Sequence, residues 1–478
     1  MQKNIATIFL LLCICYFPLF LHLDSLSLFP FDEARLAVNA QEMIDTGDFI
    51  VTHFGGKPDM WNCKPPLMIW LQVLSMKIFG VNELGTRFPA ALSAFFTLFF
   101  IGYFSWHFLE RKILGICSIL VLICTPGYIT THVTRTGDYD ALLILFSILF
   151  LFSVFELVHS SDNRKKKRLF LWASLWLSLA VLTKSVTGLL FLPAVAIYFT
   201  WKKTWIPIFR SPYLYYGLGI FIVLVGSYYG LREHYNPGYL QAVWKNELGG
   251  RYFEVLEDHQ APFSFYIKNS WRGKFLPWLF FLPLSLMIVW QKKGKERDFF
   301  SFLLLVVISF LLLISVSKTK LEWYDAPVYP LLAILVASGI ESLYLFLKEK
   351  IRVNPIILFL VFCIAVFGMP YRNILASVYL PTHNHPMNYY AGFMKKLPEY
   401  KNYTLVSMSH NAQITFYKKV YNEKGYQLSQ KFPNQLQVGE TAMICEEDAR
   451  DSMNSQFEYI VLEEWRTCRL VRIIGRLE

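Results

Sequence analysis

Residues 5–23, IATIFLLLCICYFPLFLHL, form an unbroken apolar run that leads almost directly into FPFDEARLAVNAQEM, residues 29–43. The reading of that junction decides the fold. The run is about as long as a bilayer crossing requires. Lys3 precedes it and no small-x-small cleavage site follows, so it reads as a retained first helix and not as a signal peptide. The stretch after it carries the adjacent carboxylates Asp32 and Glu33, with Arg35 one turn further on. A chain so poor in charge needs a reason to place an acid pair at a membrane exit.

That poverty of charge is general. Of the 478 residues, 55% are hydrophobic and only 17% charged, against roughly 25% charged in soluble domains. The 42 Phe and 13 Trp suit lipid-facing and interfacial surface. A net charge of +11 invites a nucleic-acid reading, but the cations lie in short clusters between apolar runs, where they set topology, so nucleic acid is excluded as a partner. Further apolar runs lie at about 88–108, 113–131, 138–158, 169–183, 186–201, 213–230, 275–291, 299–316, 326–347 and 355–371. Together they predict an all-α polytopic membrane protein of about 11 transmembrane helices.

The loops orient it. With a cytoplasmic N-terminus, the inner loops hold residues 110–112, 163–168, 202–210, 292–297 and 348–352, which carry 17 Lys or Arg between them. Every alternate loop is basic, as the positive-inside rule requires. An odd helix count then puts the tail outside. The outer loops differ in character: long ones at 24–87 and 231–273, and short ones with TRTGDYD (134–140), TKSVTG (183–188) and SKTKLEWYD (317–325), mix acids, cations, Trp and His. The chemistry is therefore expected on the external face. Within the first loop, Asp32 to Thr46 and Pro65 to Phe79 read as amphipathic helices lying on the membrane surface, ended by Gly47 and Gly80. We divide the chain into a transmembrane domain, 1–371, and a small extracytoplasmic α/β domain, 382–478. Strand-like pieces YTLVSMS, TAMIC, EYIVLEE and CRLVRIIG and a helix-like HNAQITFYKKV define the latter. Cys445 and Cys468 can pair if that tail lies outside the cytoplasm. Cys13, Cys15, Cys117, Cys124 and Cys363 read as small core residues.

Each candidate site residue has a bland alternative. Asp32 can cap its helix, with Glu33 favouring the first turn. Lys64, in WNCKPPL, is held extended by the prolines after it, or simply snorkels to headgroups. Asp138 and Asp140 stand where the fourth helix enters the membrane, where ionisable groups are costly and functional by default; capping explains one of them but not Arg135 alongside. Lys184, Lys318 and Lys320, with Tyr324 nearby, lie outside against the positive-inside bias, and cations held there suggest an anionic ligand such as phosphate. The second long loop adds Arg251, Glu257, Asp258 and His259; a lone histidine is more often structural.

These motifs, in this order, are familiar. FDEARLAVNAQEM with GDF and then CKP resembles the first periplasmic loop of the bacterial lipid A aminoarabinose transferases and their protein O-mannosyltransferase relatives. LTKSVTGLL, HQAPFSFYI and SVSKTKLEWY continue the likeness over about the first 345 residues. The resemblance implies a GT-C type membrane glycosyltransferase that moves a sugar from a polyprenyl-phosphate donor to an acceptor (lipid A, another glycan or a protein) outside the bacterial inner membrane, usually with inversion. It implies that Asp32 is the catalytic acid of the loop. By the same resemblance Lys64, Lys184 and Tyr324 line the donor-phosphate cavity and Asp140 matches the acid that starts the fourth helix, while the charge of a departing phosphate adds Arg35, Arg251 and Lys318 as candidates for that cavity, with Glu33 and Asp138 in support. The family's glutamate before the lysine is Cys63 here, so the metal held by that glutamate and a histidine in the transferases has only Cys63 and His259 to bind it. Two ligands are an incomplete set for zinc or another divalent ion. A flippase for polyprenyl-linked sugars would also need many helices and buried charge, but should show internal repeats and broken helices at the midplane.

Overall fold

A computed structural model describes residues 2–129, 132–249, 260–379, 389–408 and 411–477. The chain is a multi-pass membrane protein with a small C-terminal sheet. It forms two compact units: Met1–Leu21, Asp59–Met68 and Pro89–Tyr379 make the first, and His22–Pro58, Ile69–Phe88 and Leu380–Glu478 the second.

Among the described residues the apolar runs are mainly helical. Seven helices among the described residues are long and apolar enough to cross a membrane: Glu83–His107, Asp140–His159, Asn163–Leu189, Pro212–Tyr235, Gly294–Val316, Ala326–Lys350 and Pro355–Val378. Phe265–Lys274 and Trp278–Gln291 form an eighth if counted as one span, bent by 108°. The runs at 5–23, 113–131, 186–201 and 275–291 each fall short of a crossing helix on their own, two of them for identifiable reasons. The run at 113–131 stops as a helix at Ile123, because Pro126 has no N–H to continue the ladder and starts a new turn, Pro126–Ile129. The region 169–201 divides at Ser185, whose φ of 50° no α-helix tolerates. The chain there turns back as the 3₁₀ segment Ser185–Leu189 before Leu192–Trp201. Gly188 permits that reversal, since a Cβ would lie 2.7 Å from the Ala180 carbonyl carbon. The basic cluster 163–168 is no loop but the first turns of its helix, capped by Asp162, which accepts from Arg164 N at 2.9 Å.

In the first unit, the helix Asp140–His159 is the axis. Its C-terminal half packs aromatically: Phe104 stacks on Phe152 at 4.0 Å, and Phe299 meets Phe155 edge-on at 5.0 Å. Its end is pinned by charge, with His159 Nε2 3.2 Å from Asp298, which Lys202 also engages. Its N-terminal end carries the polar residues treated below.

In the second unit, helix Asp32–Thr46 ends at Gly47, φ 70°. A hairpin of β1 (His53–Phe54) and β2 (Lys57–Pro58) turns at Gly55 and Gly56, both at positive φ as a type I′ turn demands. Glu42 accepts from both glycine N–H groups, at 2.8 and 3.0 Å. The tail is α/β, with strands β3 (Asn402–Val406), β4 (Gln427–Lys431), β5 (Thr441–Ile444), β6 (Phe457–Trp465) and β7 (Cys468–Arg476) in the order β4-β3-β5-β7-β6. β3 is parallel to β4 and β5, while β7 is antiparallel to β5 and β6. Val406, Ile444, Phe457 and Val471 sit in its core, and a disulfide joins Cys445 to Cys468. Helix Ala412–Glu423, capped by Asn411, lies on the 32–46 helix, where Tyr417 Oη accepts from Leu28 N at 3.0 Å and Lys419 pairs with Asp45.

Candidate active site

The polar residues of the first unit come from five separated stretches that meet at the N-terminal end of the 140–159 helix. Asp59 starts the assembly by accepting from the N–H groups of Trp61 and Asn62, both at 3.0 Å, which folds 59–62 into a turn. The segment after the 212–235 span holds this turn from behind. Arg232, fully buried, donates to Asp59 O at 3.2 Å, and Tyr239 Oη donates to Cys63 O at 2.7 Å. Lys64, extended ahead of its two prolines, then reaches Glu247, with Nζ 3.1 Å from Oε1 and little of either side chain exposed.

From there the contacts run across the unit. Lys64 Nζ lies 5.6 Å over the Tyr139 ring, and Tyr139 Oη donates to Asn62 Oδ1 at 2.9 Å. On one side of Tyr139, Asp138 accepts from Thr136 Oγ1 at 2.5 Å and lies 3.2 Å from His132 Nδ1. Burial alone would raise this carboxyl, but His132, the Thr136 hydroxyl and Lys184 together hold it below the usual range. His132 stacks on Trp323 at 3.8 Å. On the other side, Asp140 takes Lys184 Nζ through both oxygens at 2.7 Å, and Lys184 lies 5.5 Å over the Tyr324 ring. Ser185 bonds Tyr229 Oη at 2.9 Å, tying in the 212–235 span.

The structure thus brings together Lys64, Asp138, Asp140, Lys184 and Tyr324. It adds Glu247, His132, Tyr139 and Trp323, which the sequence reading did not select. Paired charges far apart in sequence leave no local signal; His132 and Trp323 lie within quoted segments or beside them but match no motif. Arg135 is explained separately. It caps the first helix, Gln2–Phe20, donating to Pro18 O at 2.8 Å and Leu21 O at 2.7 Å. Lys318 has an exposed side chain, whereas Lys320 is buried and donates to Ser317 O. Arg251 and His259 lie outside the described residues. Cys63 donates its thiol hydrogen to Met60 O at 2.8 Å, and burial pushes the thiol up from its usual range. Cys63 is one of the two donors the sequence offered for a metal, and His259, the other, lies outside the described residues.

Asp32, Glu33 and Arg35 belong to the second unit. Asp32 is the first residue of its helix, after Phe31 at the N-cap, so it is not the cap itself. Glu33 is fully buried. It accepts from Phe29 N at 2.8 Å and pairs with Arg87, Nε to Oε1 at 2.6 Å and Nη2 to Oε2 at 3.0 Å. Arg87 also donates to Leu23 O, Leu26 O and Ser27 O, at 2.7, 2.7 and 2.9 Å. One fork thus fixes the chain entering the helix, and it leaves half-buried Asp32 as the acid not spent on it. Arg35 sets its guanidinium 4.5 Å over the Phe54 ring.

A family model described as dolichyl-phosphate-mannose-protein mannosyltransferase matches residues 63–229. An uncharacterised protein of Aquifex aeolicus is 30% identical over 349 residues, 71% of this chain and 64% of that one. The undecaprenyl phosphate-alpha-4-amino-4-deoxy-L-arabinose arabinosyl transferase of Aeromonas salmonicida is 28% identical over 365 residues, 74% of this chain. The chain spans 64% of that relative's length as well. Two crystal structures of ArnT from Cupriavidus metallidurans share the fold. The apo form has a TM-score of 0.73 at 14% identity, and the form bound to undecaprenyl phosphate 0.72 at 16%. Each covers 99% of this chain and 98% of its own.

Proposed function

We propose that this chain, a member of an ArnT- and protein-mannosyltransferase-like GT-C family, is an integral membrane glycosyltransferase that takes a sugar from a polyprenyl-phosphate donor. The observation that carries the reading is the convergence of Lys64, Tyr139, Asp140, Lys184 and Tyr324 from distant stretches of an apolar chain. Breaking the sugar–phosphate bond leaves positive character on the anomeric carbon and new negative charge on the departing phosphate. Fixed cations lower that barrier when they face the developing charge. Lys184 uses two of its three N–H groups on Asp140 and keeps a third for an oxyanion. Lys64, held beside Glu247, is the second cation placed to face the departing phosphate. The acceptor hydroxyl loses its proton as it attacks, and Asp32 is our choice of base. That half of the chemistry answers why two acids stand together: Glu33 holds the loop and Asp32 reacts.

The donor is then a sugar linked to undecaprenyl phosphate or a similar carrier, and the acceptor a lipid A, glycan or protein group on the outer face of a bacterial inner membrane. The orientation rests on three supports. Alternate loops are basic. The loop 22–58 and the tail belong to one unit, so they share a side. The tail carries a disulfide, which suits an oxidising compartment. The 108° bend between Phe265–Lys274 and Trp278–Gln291 favours a transporter as the second reading. Mass spectrometry of envelope lipids and glycans tests both. Cells with the wild-type protein should carry a sugar modification that cells with Asp32→Asn lack, while a transporter would keep it.

A further inference from the structure

An apolar groove of about 430 Å³ runs between the first helix and the helices Glu83–His107 and Lys112–Ile123. It is remote from the candidate active site. Phe104, on the same helix as its polar end, and Phe108, just past that helix, pack on Phe152 and Phe155. Those lie 12 and 15 residues along the helix that begins at Asp140, a distance of about 20 Å. Leu12 and Phe99 line the walls and are themselves partly open to the bilayer. Gly102 and Ile119 line it too, where a Cβ on Gly102 would meet Ile119 Cδ1 at 2.9 Å, so glycine keeps this helix crossing narrow.

One end of the groove changes character. Trp106, His107 and Lys112 line it, with Lys112 Nζ 4.7 Å over the Trp106 ring and His107 4.5 Å from the Tyr103 ring. Glu156 pairs with Lys165, and Glu296 and Glu341 with Arg111, while Glu110, two residues before Lys112, is exposed. A long apolar slot ending in an amphipathic ring and an exposed cation is complementary to a single acyl chain and its anionic headgroup. The volume is within the roughly 300–1,000 Å³ of small-molecule sites. We propose that this groove binds one anionic phospholipid of the surrounding bilayer, its chain along Leu12 and Phe99 and its phosphate at Lys112 and His107.

Native mass spectrometry of the purified full chain, given equal phosphatidylglycerol and phosphatidylcholine, tests the proposal. The wild type should retain one phosphatidylglycerol with about fivefold preference, the worth of one lysine at a membrane surface. Lys112→Glu should bring that preference to parity, and Leu12→Trp, which fills the slot from a bilayer-facing position, should lose both lipids with the melting temperature unchanged. Equal retention by the wild type, an undiminished preference in Lys112→Glu, or lipid retained by Leu12→Trp would overturn it. So would undecaprenyl phosphate displacing phosphatidylglycerol from the same slot.

Discussion

Glu33 and Asp32 are neighbours in sequence with opposite fates, and the difference lies in Arg87. A buried carboxylate that loses its partner is left uncompensated, at a cost of about 3–5 kcal/mol. Arg87→Ala should therefore lower the melting temperature steeply, and adding Glu33→Gln should restore much of it. Lys184 and Asp140 pose the complementary question, because their pair can be structural or functional. Lys184→Met alone should destabilise, and Lys184→Met with Asp140→Asn should recover the melting temperature but not sugar transfer. Recovery of both would make the pair mere architecture. Asp325 offers a pH test. It is buried against Asn269, whose Nδ2 donates to it at 3.0 Å, and burial, offset in part by Tyr329, Asn269 and Lys274, lifts its carboxyl to about 7. An acid whose folded pKa is raised stabilises the fold when protonated, so this stability is full below about pH 4 and lost as pH rises toward 7. Asp325→Asn should remove that slope, raising the melting temperature at pH 8 with little change at pH 4. At this scale the sequence was legible where a residue breaks a bias, as Lys184 does on the outside. It was opaque where a partner lies far along the chain, as Arg87 does for Glu33 and Glu247 for Lys64.

Elements were read best where the hydrophobic period was long and the stop signals clear. Asp32–Thr46 ends at Gly47 as expected, and the second helix of that loop begins at Leu67, just after its two prolines. The failures have local causes. Pro126 cuts one run short, and the 3₁₀ turn Ser185–Leu189, at the expected boundary between two runs, leaves only Leu192–Trp201 of the second, a constraint of backbone geometry that apolar content does not report. In the tail, β3, β5, β6 and β7 match the apolar pieces, but β4, QLSQK, is a polar edge strand whose pairing with β3 supplies what its side chains do not. The disulfide joins the end of β5 to the start of β7 across 23 residues. Closing a loop of that size is worth about 3 kcal/mol. Cys445→Ser with Cys468→Ser should make the tail markedly more sensitive to limited proteolysis while the helices resist.

For the molecule as a whole, the basic loops and the unit shared by residues 22–58 and the tail support the proposed external tail. A C-terminal alkaline phosphatase fusion should be active and a C-terminal GFP fusion dark; the reverse would place the tail in the cytoplasm. Composition made the membrane class plain, and the motif order pointed to the GT-C fold. The sugar and acceptor were not legible, because they are chosen by cavity shape assembled from many loops and not by any one motif. The most direct test is turnover by the purified chain in proteoliposomes with an undecaprenyl-phosphate-linked sugar and extracted envelope acceptors. The account predicts free undecaprenyl phosphate released in step with acceptor modification, falling about 10²–10⁴-fold in Asp32→Asn. Modification at the wild-type rate by Asp32→Asn, or donor crossing the bilayer intact without cleavage, would contradict it.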